Sequence, residues 1–230
     1  MARLTRLSLV DEVHFVRLRA VEDISLFPSL EDIESLFQIF SRVEQTSRME
    51  IAGYSLMSDQ LCLLAIPRQD ARSLSTGIQT ISRLYCHHFN NAYGRTETIW
   101  HGRFSSCVIE GGLLSLQALI FLESLPHSQG LGEPEVFPWS SYHHHVGHRN
   151  DGFVFSIPAY WELGNTPFER QKVYRQLFDQ GIDEDLGKKI DSCVKRGWPL
   201  GSQKFLEGIK VEEGRIHALR NPGRPKKNLI

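Results

Sequence analysis

Alternation of apolar and polar residues marks four short segments of the chain as β-strands. Residues 12–19, "EVHFVRLR", alternate with period two, which is typical of a strand with one face on a core. Residues 49–57 and 60–67 are two further apolar runs, and the short polar step between them predicts an antiparallel hairpin. A last strand is predicted at 104–110, "FSSCVIE".

Helical periodicity occupies the intervals between these strands. Ser29 is a suitable N-cap for a helix over 33–45, and a second helix is predicted within 70–94. A third follows over 113–125, and Pro126 is expected to end it. The order β-α-β-β-α-β predicts an α+β chain with a ferredoxin-like antiparallel sheet and one additional helix.

Beyond this pattern the chain changes character. The segment "FPWSSYHHHVG" is expected to be a loop, and three short helices are predicted between residues 158 and 197. We therefore predict a ferredoxin-fold domain over 1–130, a helical extension over 131–213 and a basic tail over 214–230.

Composition restricts the class of protein. The chain has 230 residues and a net charge of -1, which excludes a globally basic protein, so any nucleic-acid surface must be local. Its four cysteines form no CxxC pair, which argues against a zinc ribbon or a disulfide scaffold. The polar N-terminus and the lack of a long apolar run predict a cytoplasmic protein without a membrane partner.

Several short strings, in this order, resemble the REP-associated tyrosine transposases, a bacterial branch of the single-tyrosine HUH transposases. They are "VHFV", "YSLMSDQLCLLAIP", "HFNNAYGR", "IWHGRFSS", "PWSSYHHHVG", "RGWPLGSQKFL" and "GRPKK". The spacing of "WHGRF" and "PWSSY" is the most specific of these features. The resemblance implies binding of hairpin or single-stranded DNA, and cleavage by a tyrosine nucleophile beside a divalent cation.

The positions at which the family carries its catalytic groups hold other residues. The family's His-hydrophobic-His triplet, whose two imidazoles share one strand face, would fall on Gln60 and Cys62. Phe121 stands at the tyrosine position, and Leu125 replaces a polar residue one helical turn later. Because none of these side chains can replace the lost group, we expect no cofactor, no metal at this place and no cleavage chemistry.

Basic and aromatic residues elsewhere are candidates for DNA contact. In "IWHGRFSS", Trp100, His101 and Arg103 could stack on an unpaired base and hold a phosphate, although Trp100 could equally be core. Arg83 and Arg95 lie opposite the apolar face of the second helix. The N-terminal region adds weaker candidates, and the tail adds an AT-hook-like "GRPKK". The weaker candidates are Arg3, Arg6, Arg17 and Arg19, and the tail residues are Arg215, Arg220, Arg224, Lys226 and Lys227.

The histidine-rich string "HHHVGH" at 143–148 could suggest a metal site, since histidine is a common metal ligand. Consecutive histidines cannot all face one ion, so we expect no metal here.

The sequence leaves three hypotheses. The first is a non-cleaving DNA-binding protein, nucleoid-associated, that recognises hairpin, palindromic or single-stranded DNA, acts as a regulator or architectural factor and forms a homodimer. The second is an active nuclease with a relocated nucleophile, Tyr85 or Tyr54, and with His87, His88 or His14 as metal ligands. The third is a protein-interaction module without a DNA role.

Overall fold

A computed structural model describes residues 6–209 and shows one four-stranded antiparallel sheet in the order β2-β3-β1-β4. The strands are β1 (Val13–Arg19), β2 (Met49–Met57), β3 (Gln60–Pro67) and β4 (Ser105–Ile109). In the register of the sheet, Arg17 on the central strand β1 lies between Cys62 on β3 and Ser105 on β4. The predicted α+β class is confirmed.

Eight helices complete the described part of the chain. The first, α1, begins at a capping box in which the Ser29 hydroxyl accepts from the Asp32 amide and the Asp32 carboxylate accepts from the Ser29 amide. The helices are α1 (Leu30–Ser47), α2 (Arg72–Tyr93), α3 (Leu113–Ser128), α4 (Tyr142–His145), α5 (Pro158–Trp161), α6 (Pro167–Gln180), α7 (Glu184–Arg196) and α8 (Gln203–Gly208).

Both faces of the sheet are buried. Side chains such as Leu61 and Leu63 pack against α1 and α2 on one face. Side chains at the alternate positions of the strands, such as Cys62 and Leu64, pack against α3 and the helices of the extension on the other face. Because the strands alternate between two apolar layers, β3 is buried throughout its length. Strand β1, for which the sequence predicted one covered face, is buried from Val13 to Leu18.

The third helix does not end at Pro126 as predicted. Pro126 lies inside α3, which continues to Ser128. A proline removes the amide that would bond the carbonyl four residues earlier, here that of Leu122. The Ser55 hydroxyl on β2 donates to this carbonyl at 2.7 Å, so the helix continues without a buried unpaired acceptor.

Residues 131–209, which we call the extension, pack against the second face and both edges of the sheet. At the β2 edge, Leu56 donates its amide to the Trp139 carbonyl and Phe155 to the Ile51 carbonyl. At the β4 edge, Leu200 donates to the Val108 carbonyl and accepts from the Glu110 amide. The domain limits at 130 and 213 remain predictions.

The extension differs from the sequence prediction at two places. The string "YHHH" forms the short helix α4 rather than a loop, and α8 was not anticipated. The α4 segment packs over the buried Glu123, whose carboxylate contacts both Ser141 and His145 and so holds this helical turn in place. Within residues 6–209, no helix combines the length and the apolar character needed to cross a bilayer.

Candidate nucleic-acid interface

The four residues at the positions where the resemblance implies catalytic groups are all at least partly buried. Cys62 has no exposed surface and Leu125 is buried in the same apolar cluster, while Phe121 packs against it. Gln60 is 6% exposed, and its amide contacts only two sulfurs, those of Met57 and Cys62, at 3.9 Å each. Burial raises the pKa of the Cys62 thiol to about 11, although the nearby Arg17 charge opposes this, so the thiol is protonated at neutral pH.

Helix α7 covers this part of the sheet. Ile190 and Val194 enter the apolar cluster, and a Cβ at Gly187 would lie 3.4 Å from the Phe121 ring. Asp191, on the same helix, accepts from Arg17 at 2.6 Å. The place where a metal and a nucleophile would meet is therefore filled by packed side chains.

The two alternative nucleophiles are also buried. Tyr54 is fully buried and donates its hydroxyl to Asp151 at 2.8 Å. Tyr85 is fully buried and donates to the Leu26 carbonyl. Burial, together with a nearby carboxylate, raises the pKa of both phenols far above the ordinary value, which disfavours a phenolate nucleophile.

Each histidine proposed as a metal ligand for these tyrosines has a protein partner. His14 is buried in β1, where its Nδ1 donates to the Glu12 carbonyl and its Nε2 accepts from the Leu9 amide. His88 pairs with Asp32, and His87 contacts Asn91. In the part of the chain that the structure describes, no group of three His, Cys, Asp or Glu side chains is placed to hold a metal ion.

The histidines of "HHHVGH" bind protein groups. His145 is fully buried and its Nδ1 contacts the Glu123 carboxylate at 2.7 Å. The same carboxylate accepts from Ser141 and from Tyr174, so one buried acid joins α3, α4 and α6. His144 accepts from the Asp151 amide, and burial lowers its pKa to about 4. This string stabilises the extension.

An open, basic surface lies at the β4 edge of the sheet. We call it the cationic cleft; its volume is about 550 Å³. The end of β1, the segment before β4 and the C-terminal end of α7 form its walls. Its charged or ionisable residues are Arg6, Arg17, Arg19, His101, Arg103, Lys195 and Arg196.

Three of these cations face solvent without a carboxylate among residues 6–209. Arg19, Arg103 and Arg196 are exposed, and none forms an ion pair with any residue in 6–209. Asp191 is the carboxylate that contacts the cleft from α7, where it pairs with Arg17 and Lys195. Clustered arginines without acidic partners favour an anionic ligand that can bridge several of them.

A second cavity, which we call the apolar pocket, opens beside the cleft and has a volume of about 590 Å³. Leu18, Trp100 and Phe104 give it apolar walls. On the α2 side it is lined by Thr76, Gln79, Thr80, Arg83 and Cys86. The two cavities share one wall, made of Arg6, Arg19, Gly102, Arg103 and Phe104.

The shared wall has a defined structure. Arg6 donates to the Phe104 carbonyl at 2.6 Å and its guanidinium lies 3.7 Å from the centre of the Phe104 ring. Gly102 has a φ of 72°, in the left-handed region that favours glycine. Beyond the cleft, the loops carrying Glu22, Asp23 and Asp59 line a neighbouring depression, so acidic residues limit the basic surface on that side.

The sequence-predicted DNA-contact residues Arg83, His101 and Arg103 line these two cavities. The weaker candidates Arg6, Arg17 and Arg19 line them as well. Trp100 is only 7% exposed and donates its indole N–H to the Ser82 carbonyl, so the structure favours the core alternative for its ring. Arg95 is exposed beyond the end of α2 and lines neither cavity. Arg3 and the five tail candidates lie outside the described residues.

Lys195 and Arg196 were missed. They precede Gly197 at the end of a helix, where basic residues usually complement the helix dipole, so their sequence suggested no site. Only the packing of α7 beside β4 brings them to the cleft.

No family model and no curated protein sequence matches this chain. Among solved structures, the fold is similar to that of a chain from "Structure of the REP associates tyrosine transposase bound to a REP hairpin". The TM-score is 0.55 and the identity 17%, and the alignment covers 69% of this chain and 96% of that chain. The similarity confirms, at the level of the fold, the resemblance that the sequence strings indicate.

Proposed function

We propose that this protein binds DNA through the cationic cleft and does not cleave it. The observation that carries the proposal is the cluster of exposed arginines without carboxylate partners in the described chain, in a molecule whose net charge is only -1. A local basic surface on an otherwise neutral protein attracts a polyanion to one place.

The non-cleaving part of the proposal rests on the buried face. Cleavage by this class of enzyme needs a nucleophile and a metal that both reach the scissile phosphate. Cys62 has no exposed surface, Gln60 is 6% exposed and α7 packs against Phe121, so these side chains offer little surface to a phosphate. The buried Tyr54 and Tyr85 give no support to a relocated nucleophile.

The kind of DNA is suggested by the structural neighbour, a transposase bound to a REP hairpin. We therefore propose a relation to the REP-associated tyrosine transposases and a structured DNA ligand, hairpin or palindromic, with a single-stranded part. A role as a regulator or architectural factor at the nucleoid would suit such binding. The proposed homodimer would use a surface other than the sheet edges, because the extension hydrogen-bonds to both.

One experiment tests both parts. Purified protein is mixed with a labelled DNA hairpin, and affinity is measured between 50 and 300 mM salt, with and without Mn²⁺. We expect binding that weakens steeply with salt, because phosphate contacts release counterions. A denaturing gel should show no covalent protein–DNA product. Salt-independent binding or no binding would refute the DNA role, and a covalent adduct would refute the loss of cleavage.

If an adduct did form, Tyr54→Phe and Tyr85→Phe variants would identify its nucleophile. If no DNA bound, the result would favour the hypothesis of a protein-interaction module without a DNA role. A chain ending at residue 213 tests the basic tail separately; we expect it to bind the hairpin more weakly, since five cations are removed.

A further inference from the structure

A separate cavity, which we call the extension pocket, opens between α4, α5 and α6. Its walls come from residues within 144–150, 160–161 and 167–171. Its volume of about 490 Å³ is within the roughly 300–1,000 Å³ typical of small-molecule sites. Arg149 in its wall donates to the carbonyl of Ser140, which bridges to Ser55 on β2. The pocket therefore lies beside the β2 edge of the sheet, whereas the cationic cleft lies at the β4 edge.

A buried cation, Arg170, lines the extension pocket. It is 9% exposed and forms no ion pair with any residue in 6–209, whereas the neighbouring Arg149 pairs with Asp151 at 2.7 Å. One terminal nitrogen of Arg170 donates to the Gly164 carbonyl at 3.0 Å, and the buried Nε has no acceptor among the described residues. The edge formed by Nε and the second terminal nitrogen can donate two parallel hydrogen bonds to a carboxylate or a phosphate. Because an unpaired buried charge is costly, this arrangement favours an anionic ligand.

The other polar groups of the pocket do not compete with such an anion. None of the described residues that line the pocket is acidic. His144 is uncharged at neutral pH, because burial lowers its pKa to about 4. The side-chain amides of Asn150 and Gln171 form no hydrogen bond within residues 6–209, and each has two N–H groups to donate. The pocket thus offers several free donors around one cation.

An exposed indole forms the apolar part of the pocket. The Trp161 ring is 55% exposed, and the Arg170 guanidinium lies 4.3 Å from its centre. The adjacent Tyr160 is held in place by its hydroxyl, which donates to the His145 carbonyl at 2.7 Å. An open aromatic face beside a cation suits a flat group that carries an anion. We infer that the extension pocket binds a small organic anion, whose phosphate or carboxylate contacts Arg170 and whose flat ring packs on Trp161.

The walls of the extension pocket are fixed before any ligand binds. Gly147 has a φ of 80°, and a Cβ built there would overlap the Gln171 amide, so a glycine is needed for Gln171 to lie across this turn. Helix α6, which carries Arg170, begins at a capping box in which the Thr166 hydroxyl accepts from the Glu169 amide. Fixed walls reduce the entropy that binding would cost.

Isothermal titration calorimetry of the full chain tests the inference with two matched pairs of probes. The pairs are adenosine 5′-monophosphate with adenosine, and benzoate with benzamide; in each pair only the first compound carries the oxyanion. We expect at least one anion to bind about tenfold or more tightly than its neutral partner, because the neutral compound cannot accept charge-assisted hydrogen bonds from Arg170. The pair that shows the difference identifies the anion as a phosphate or a carboxylate. The same anion without a ring, inorganic phosphate or acetate, should bind more weakly, because it cannot pack on Trp161.

Two variants locate the anion. Asn150→Asp places a carboxylate at an exposed position of the pocket and should weaken anion binding about tenfold or more by repulsion. Arg170→Gln removes the cation itself and should cause at least as large a loss; if this buried substitution prevents folding, Asn150→Asp still decides. The matched control, Asn91→Asp on the exposed surface of α2, should change the affinity by less than about twofold, since solvent screens a distant charge.

Equal affinity for both members of both pairs would overturn the inference, and so would unchanged anion binding by Asn150→Asp. Anion binding that is kept in Asn150→Asp but lost in a double variant, Arg103→Gln with Arg196→Gln, would place the anion in the cationic cleft and would also overturn it. Hairpin affinity of Asn150→Asp should match that of the wild-type protein. A failure of this inference would therefore leave the proposed function standing, and a failure to bind hairpins would leave this inference standing.

Discussion

Two regions of this molecule, the face of the sheet under α3 and α7 and the open cleft at the β4 edge, differ in what their polar residues contact. On the buried face, polar groups such as Glu123 and Arg17 bind other protein groups. In the cleft, Arg19, Arg103 and Arg196 have no acidic partner among the described residues. The polar residues of the buried face therefore stabilise the fold, whereas those of the cationic cleft are available to a ligand.

The largest expected effect comes from breaking the buried network. Glu123→Ala removes the acceptor of Ser141, His145 and Tyr174 and should lower the free energy of unfolding by about 3–5 kcal/mol, because buried polar partners lose their hydrogen bonds. Urea unfolding at pH 7 measures the change. Glu184→Ala, at an exposed site on α7, should change it by less than about 0.5 kcal/mol. Equal effects of the two variants would contradict the structural role of Glu123.

Neutralising the cleft should affect binding and leave stability nearly unchanged. A variant with Arg103→Gln and Arg196→Gln should bind a DNA hairpin at least tenfold more weakly at low salt. The slope of log affinity against log salt should fall by roughly 1.4–1.8, which corresponds to two lost phosphate contacts. Arg42→Gln, on α1 away from both cavities, is the control. An unchanged salt slope in the double variant would place the DNA elsewhere.

Acidification should lower the stability of the protein interior and leave the charge of the cleft arginines unchanged. Burial lowers the pKa of His14 to about 4. Between pH 6.5 and 4 the unfolded state therefore takes up a proton that the folded state does not, so the free energy of unfolding decreases as the pH falls. Between pH 7 and 5 this group should cost about 2 kcal/mol. Urea unfolding at both pH values measures this loss of stability. The loss should be about 2 kcal/mol smaller in His14→Gln and the same as in the wild-type protein in His87→Gln. The cleft arginines stay charged throughout, so protein that remains folded should still bind DNA at pH 5.

The smallest effect is expected at the boundary between the two regions. Asp191→Asn removes the carboxylate that pairs with the buried Arg17 and with the exposed Lys195, which should make Lys195 more available to phosphate. Hairpin affinity should rise about two- to fivefold, the range expected for release of an exposed ion pair such as that of Lys195. Asp185→Asn, on the exposed surface of the same helix, should leave it unchanged. Weaker binding by Asp191→Asn would show that this carboxylate positions the cations.

Local pattern predicted the sheet well because strands and helices are short-range features. Both hairpin strands, 49–57 and 60–67, match the structure at their ends, and the Ser29 cap was identified from its residue type. Pro126 was misread because its compensation comes from Ser55, more than sixty residues earlier in the chain. A long-range hydrogen bond of this kind leaves no local signal.

The candidate site was partly predictable for the same reason. Arg103 was identified from its place in an aromatic and glycine-containing string and Arg83 from its position opposite the apolar face of the second helix, and both line the cavities. Lys195 and Arg196 reach the cleft only through the packing of α7, and the burial of Trp100 depends on its contacts with α2. Residue type predicts which chemistry is present, but tertiary packing determines which side chains a ligand can reach.

The hydrogen bonds between the extension and the sheet edges also affect how the chain is synthesised. Strand β4 is complete once residue 109 has been made, yet its edge partner, Leu200, follows 91 residues later. Strand β2 ends at Met57, and its edge partner, Trp139, follows 82 residues later. Until then the growing chain exposes unpaired strand edges, which favour association with other chains. A ribosome that stalls between residues 130 and 200 would therefore release a fragment prone to aggregate, and such fragments should depend on chaperones more than the finished protein does.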